Sequence, residues 1–168
     1  MSAPPPVEPL SMNVASRSVR IQITNQTNIY TLMNPQVAMM SGVVYARPAS
    51  TVKPMESEVS SFIKKSIWPT GSVGVMTYEL QSDNSSKDEI LAIMFSVPFD
   101  YMVYSNWFGV EFYDHGRACD EKLFDEMEDE RRRMCGSEIY SEGKFLKVKA
   151  KMLDQANSVL TVELSTRK

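Results

Sequence analysis

Val19, Ile21 and Ile23 alternate with Arg20, Gln22 and Thr24, so the stretch has one apolar and one polar face when extended and no coherent face when helical. Much of the chain repeats this period-two pattern in short runs. Asn25-Gln26-Thr27-Asn28 reads as a turn, and Ile29 to Met33 as the strand returning from it. Asn34-Pro35 punctuates the chain again. Val37 to Tyr45 and Val59 to Ile67 are further strand candidates, with a loop around Pro48 to Pro54 between them. Gly71 to Leu80 reads as a strand, and Gln81 to Asp88 is polar and turn-rich. Ile90 to Val97 is almost continuously apolar, as expected of a strand buried on both faces. Trp107 to Tyr113, Phe145 to Leu153 and Val159 to Leu164 complete the set. About ten short strands between turn signals predict a mainly β fold, a sandwich or a barrel.

One clear α-helix is predicted over about 120–133. Asp120, Glu121, Asp125 and Glu126 open it and Arg131-Arg132-Arg133 close it, an order that complements the helix dipole. Glu128–Arg132 and Asp129–Arg133 have the spacing of i,i+4 ion pairs, and Gly136 is placed to end the helix. Leu123, Met127 and Met134 form a narrow apolar stripe for docking on a sheet. Residues 1–16 contain Pro4, Pro5, Pro6 and Pro9, which oppose helix and ladder alike, and read as a flexible tail. Residues 17–168 read as one domain.

A hydrophobic content of 43% and a charged content of 23% suit a soluble globular domain. The net charge of −3 argues against a nucleic-acid partner and against a global pull toward anionic lipid. No run approaches the ~20 apolar residues of a membrane-spanning helix. Residues 1–17 lack the basic and apolar regions of a signal peptide, so a cytoplasmic location is expected, with a secreted or membrane-associated one as the alternative. Cys119 and Cys135 are then expected as free thiols. Asn25-Gln26-Thr27 and Asn84-Ser85-Ser86 read as chance matches to the glycosylation sequon.

An enzyme is not expected. His115, the only histidine, has Asp114 and Cys119 nearby, which raises a Cys–His pair. Asp114-His115-Gly116 reads more simply as a turn leading into the helix, with Cys119 buried. One histidine and two distant cysteines do not supply a metal site, and no glycine-rich phosphate loop with a lysine is present. No metal and no cofactor is expected.

Ser96 to Phe108 carries most of the functional information. A buried strand stops at Pro98, and Phe99, Tyr101, Tyr104, Trp107 and Phe108 fall within ten residues. Tyr and Trp favour membrane–water interfaces, and rings around a cavity hold quaternary ammonium groups by cation–π attraction. Part of the cluster would instead fill one end of the core. Ser96-Val97-Pro98-Phe99-Asp100-Tyr101, followed by Tyr104-Ser105-Asn106-Trp107, closely resembles the signature of the actinoporins, the sea-anemone cytolysins. Thr70-Gly71-Ser72-Val73-Gly74-Val75 and Gly116-Arg117-Ala118-Cys119-Asp120 fit the same family in order and spacing. The similarity is strong over about 70–127 and collinear from Arg17 to Lys168.

The resemblance implies an actinoporin-type β-sandwich flanked by helices and a phosphocholine-headgroup site at the aromatic end. It also implies pores in sphingomyelin membranes, lined by a detached amphipathic N-terminal helix. Carried over by position, the headgroup site is Val73, Ser96, Pro98, Tyr104 and Trp107. Tyr101, Val103, Phe108 and Phe124 are further candidate membrane or ligand contacts. Phe124, Glu128 and Asp129 stand where the family has three helix tyrosines, whose lost hydroxyls remove donors to phosphate. Met134-Cys135-Gly136-Ser137 stands where the family has Arg-Gly-Asp. Leu10, Met12, Val14 and Ala15 make too short an apolar run for an interfacial helix, so the family's pore mechanism is not expected to operate with this tail. The expected function is a non-lytic recognition module binding a lipid headgroup or a glycan at the aromatic end. A pore-forming cytolysin and an oligomeric protein-interaction module, with a homo-oligomer as candidate assembly, are the alternatives.

Overall fold

The computed structural model describes residues 4–65, 69–100 and 105–167. Its strands are β1 (Ser18–Asn25), β2 (Tyr30–Ser41), β3 (Val43–Ala46), β4 (Thr51–Val52), β5 (Ser57–Ile63), β6 (Ser72–Ser82), β7 (Glu89–Val97) and β8 (Trp107–Asp114). Helix α1 (Glu121–Glu130) follows, then β9 (Arg133–Met134), β10 (Ile139–Glu142), β11 (Leu146–Met152) and β12 (Asn157–Thr166). They form two six-stranded sheets, the first ordered β10-β11-β12-β1-β5-β3 and the second β4-β2-β6-β7-β8-β9. The fold is the mainly β sandwich expected.

The period-two pattern explains the layers. Val19, Ile21 and Ile23 of β1 and Leu160, Val162 and Leu164 of β12 face Met76, Tyr78, Leu91, Ile93, Phe95 and Phe108 in one buried cluster. Phe62 of the first sheet meets Phe95 of the second with ring centroids 4.8 Å apart. β7 is buried on both faces, as its unbroken apolar run requires. Its other side presents Ala92 and Met94, which with Val75 pack beneath Leu123, Phe124 and Met127 of α1.

The turn after β1 is not that of a hairpin. β1 pairs in parallel with β12 and antiparallel with β5, whereas β2 belongs to the other sheet. The chain changes layers at Asn25, which is fully buried. Asn25 Nδ2 donates to the carbonyls of Tyr30 (2.8 Å) and Val52 (3.0 Å), and its Oδ1 accepts from Thr27 N (3.1 Å) and Oγ1 (2.7 Å). These bonds tie the crossing to the first residue of β2 and to the last residue of β4. The expected break at Asn34-Pro35 is instead a bulge within β2, marked by a register shift and by Asn34 at φ 52°.

α1 is shorter than the predicted 120–133. Asp120 caps it, its Oδ1 accepting from Leu123 N at 2.9 Å. The chain leaves the helix at Arg131, and Arg133–Met134 joins the edge of β8. Pairing with β8 replaces further helical bonds, so the spacings Glu128–Arg132 and Asp129–Arg133 form no ion pairs. For the same reason Met134 is 59% exposed rather than part of the docking stripe, and Gly136 (φ 116°) lies beyond β9. Among the described residues no helix is long and apolar enough to cross a membrane.

Residues 5–16 form no strand and only a short turn, in which Val14 N and Ala15 N both donate to Ser11 O. The segment lies along the side of β1 that faces away from the core. Glu8 O accepts from Arg20 Nη1 (2.9 Å) and Pro5 O from Gln22 Nε2 (3.5 Å).

Candidate functional site

Strand register sets three of the expected site residues side by side. Ser41 pairs with Val73, Val73 with Ser96, Ser96 with Trp107, and Trp107 with Met134. One row of side chains therefore crosses β2, β6, β7, β8 and β9 on the outward face of the second sheet. Val73, Ser96 and Trp107 are half-buried, as is Pro98, which ends β7. α1 packs over Val75 and Met94, the next outward positions on β6 and β7, and so walls one side of the row.

The loop at Pro98 is held by three features. A Cβ on Gly71 would lie 2.2 Å from Val97 O and 3.1 Å from Phe99 N, so only glycine lets β6 begin there. Arg17 Nε donates to Pro98 O at 3.2 Å and its Nη2 to Phe99 O at 3.0 Å. Asn106, fully buried, donates from Nδ2 to the carbonyls of Leu153 (3.1 Å) and Gln155 (2.9 Å), tying the entry of β8 to the first sheet.

A further side chain joins the row. The chain leaving α1 crosses β8 at Gly109, where a Cβ would stand 2.8 Å from Arg131 O. That crossing sets the Arg132 guanidinium carbon 4.4 Å from the centroid of the Trp107 ring. Arg131 is held at 2.7 Å by Glu111, which also accepts from Ser141 Oγ at 2.5 Å. At the other end of α1, Arg117 grips Glu126 through two 3.1 Å bonds and lies 4.9 Å over Tyr113. That pairing holds the Glu126 carboxyl below its usual range, and burial pushes Tyr113 up to about 12.

Residues 16–166 match the family described as sea anemone cytotoxic protein. The chain belongs to this family, the actinoporins. DELTA-alicitoxin-Pse1b of Phyllodiscus semoni is 37% identical over 119 residues, 66% of this chain and 47% of its own. Cytolysin tenebrosin-B of Actinia tenebrosa is 41% identical over 58 residues, 34% of this chain and 25% of its own. The chain thus spans about half, or less, of the length of these curated relatives. The crystal structure of the lipid binding protein Nakanori superposes with a TM-score of 0.69 at 13% identity, over 92% of this chain and 72% of that one. At that identity the likeness is one of fold.

Not every residue carried over from the actinoporin resemblance reaches the row. Phe108 is fully buried in the inter-sheet core, because period two turns it inward when Trp107 faces outward. Phe124 is 5% exposed, packed between α1 and the sheet. Both are core residues rather than contacts. Tyr101, Val103 and Tyr104 lie outside the described residues.

In this actinoporin chain His115 and Cys119 do not pair. His115 Nε2 lies 3.0 Å from Glu79 Oε1, and Cys119 Sγ donates to Val75 O at 3.6 Å. Among the described residues no group of three or more His, Cys, Asp or Glu could hold a metal ion. Both cysteines are free, and Cys135 Sγ donates to Asn106 O at 3.6 Å. Burial raises the Cys119 thiol and pushes Cys135 up to about 12. Because the thiolate is the nucleophile, both thiols are expected to react with a disulfide reagent at pH 8 on the order of ten-fold or more slower in the folded protein than in denaturant. Equal rates would show that the thiols are open to solvent.

Proposed function

We propose that this chain is a membrane-recognition module that holds a lipid headgroup on the row Val73–Ser96–Trp107, beside Pro98, and does not itself open a pore. The observation that carries this is the row itself: a tryptophan, a hydroxyl and an apolar side chain aligned outward by register at one end of the sheet. Tyr101, Val103 and Tyr104 are proposed to complete the aromatic end. Kinship to chains named as toxins and as a cytolysin supports action at a membrane, and favours the secreted or membrane-associated location over the cytosol. The non-lytic part rests on residues 5–16, where Pro5, Pro6 and Pro9 oppose a helix and the carbonyls of Pro5 and Glu8 accept bonds from Gln22 and Arg20 of β1.

Co-sedimentation and dye release test this together, using vesicles of phosphatidylcholine alone, with sphingomyelin, and with phosphatidic acid. Binding to at least one composition without leakage is the expected result. Leakage would replace it with the pore-forming reading, which the relatives' names favour. Absence of binding throughout would overturn the headgroup reading and direct attention to glycans. A homo-oligomer is favoured by β3, an edge strand on which Val43, Val44 and Tyr45 are all exposed. Its molar mass in solution decides that point.

A further inference from the structure

We infer that the headgroup selected at this row is anionic, a phosphate not masked by choline, and that Arg132 is the residue that reads it; this rests on the headgroup reading above. The Arg132 guanidinium lies 4.4 Å from the Trp107 centroid, at a distance where ring and cation attract. That face of Trp107 already carries the chain's own cation and offers no seat to a second one. A quaternary ammonium arriving there would meet a like charge. A phosphate would meet donors.

Arg132 is available for this, and its neighbours are not equally so. Arg131 is committed to Glu111 at 2.7 Å. Arg133 donates from Nη1 to the Arg132 carbonyl at 2.9 Å, which keeps a second cation beside the row. Among the described residues no carboxylate lies within ion-pair distance of Arg132, and no acceptor takes a hydrogen bond from its guanidinium. Five N–H donors in a fixed fork suit phosphate oxygens better than any other group on a membrane surface. The half-buried Ser96 hydroxyl, next to Trp107 in the row, adds a donor. Glu128, Asp129 and Glu130 are exposed on the preceding helix and would repel phosphate from that side, so the approach is over β8 and β9. With a net charge of −3 the chain has no bulk attraction to an anionic surface, which makes selection depend on this one locus.

Co-sedimentation with phosphatidylcholine vesicles containing either sphingomyelin or phosphatidic acid tests the inference. Wild type is expected to bind the phosphatidic acid vesicles about five-fold or more tightly, the gain of roughly one cation at an anionic surface. Arg132→Gln removes that preference, and Arg132→Lys, which keeps the charge but not the fork, recovers part of it. Arg132 is exposed, so both variants are expected to keep the native circular dichroism. Lys151→Gln, a cation on the first sheet, should leave the preference intact; an equal loss there would mean bulk charge and would overturn the inference. Sphingomyelin binding that needs Trp107 but is indifferent to Arg132→Gln would overturn it while leaving the headgroup reading standing. Failure to bind any vesicle would remove both.

Discussion

Trp107→Ala is expected to lower vesicle binding by about ten-fold or more while the circular dichroism and melting temperature stay near those of wild type. An interfacial tryptophan contributes through its area and its amphipathic ring, and ~1.4 kcal/mol is enough for a factor of ten. The fold loses little, because Trp107 stands on the outward face and Phe108, not Trp107, fills the core. Phe108→Ala is the contrast: removing a fully buried ring costs about 3–5 kcal/mol. Two adjacent residues should thus separate binding from stability. Trp107→Ala and Arg132→Gln are expected to be less than additive, since each removes the partner that positions the other. Unchanged binding by a natively folded Trp107→Ala protein would remove the row as the site.

Asn25→Ala should be among the most destabilising substitutions outside the apolar core, by about 3 kcal/mol in urea denaturation. The side chain is fully buried and serves four polar partners at the point where the chain passes from the first sheet to the second. Alanine takes the side-chain donor from the Val52 carbonyl and leaves the Tyr30 carbonyl only Thr27 Oγ1 at 3.2 Å, in a place closed to water. For a domain of this size such a loss corresponds to roughly 6–12 °C in melting temperature. A change under ~1 kcal/mol would mean that the crossing rearranges or admits a water molecule.

The residues of the candidate site were named by the actinoporin resemblance, and their common outward face follows from local rules. Val73, Ser96 and Trp107 each alternate with a core residue, and Gly71 and Pro98 punctuate the strands that carry them. The inward turn of Phe108 was equally legible, since neighbours in a strand cannot face the same way; the density of aromatic residues obscured it. Arg132 was not legible as a site residue. In a charge-ordered helix it pairs with Glu128, and nothing in that pattern shows the chain leaving at Arg131 to join β8.

Residue order alone determined what depends on near neighbours: a mainly β chain, a strand at Ile90–Val97 buried on both sides, a helix beginning near Asp120, and membership of the actinoporin family. Tertiary structure decided which strands became partners. Ser18 and Asn157 meet at 2.7 Å across 139 residues, and β1 lies parallel to β12 instead of folding back on β2. Strand propensity is nearly blind to the identity of its partner, because backbone donors and acceptors are alike in every strand. The choice is made by competition for buried area and for satisfied polar groups, which exist only once both sheets are in place.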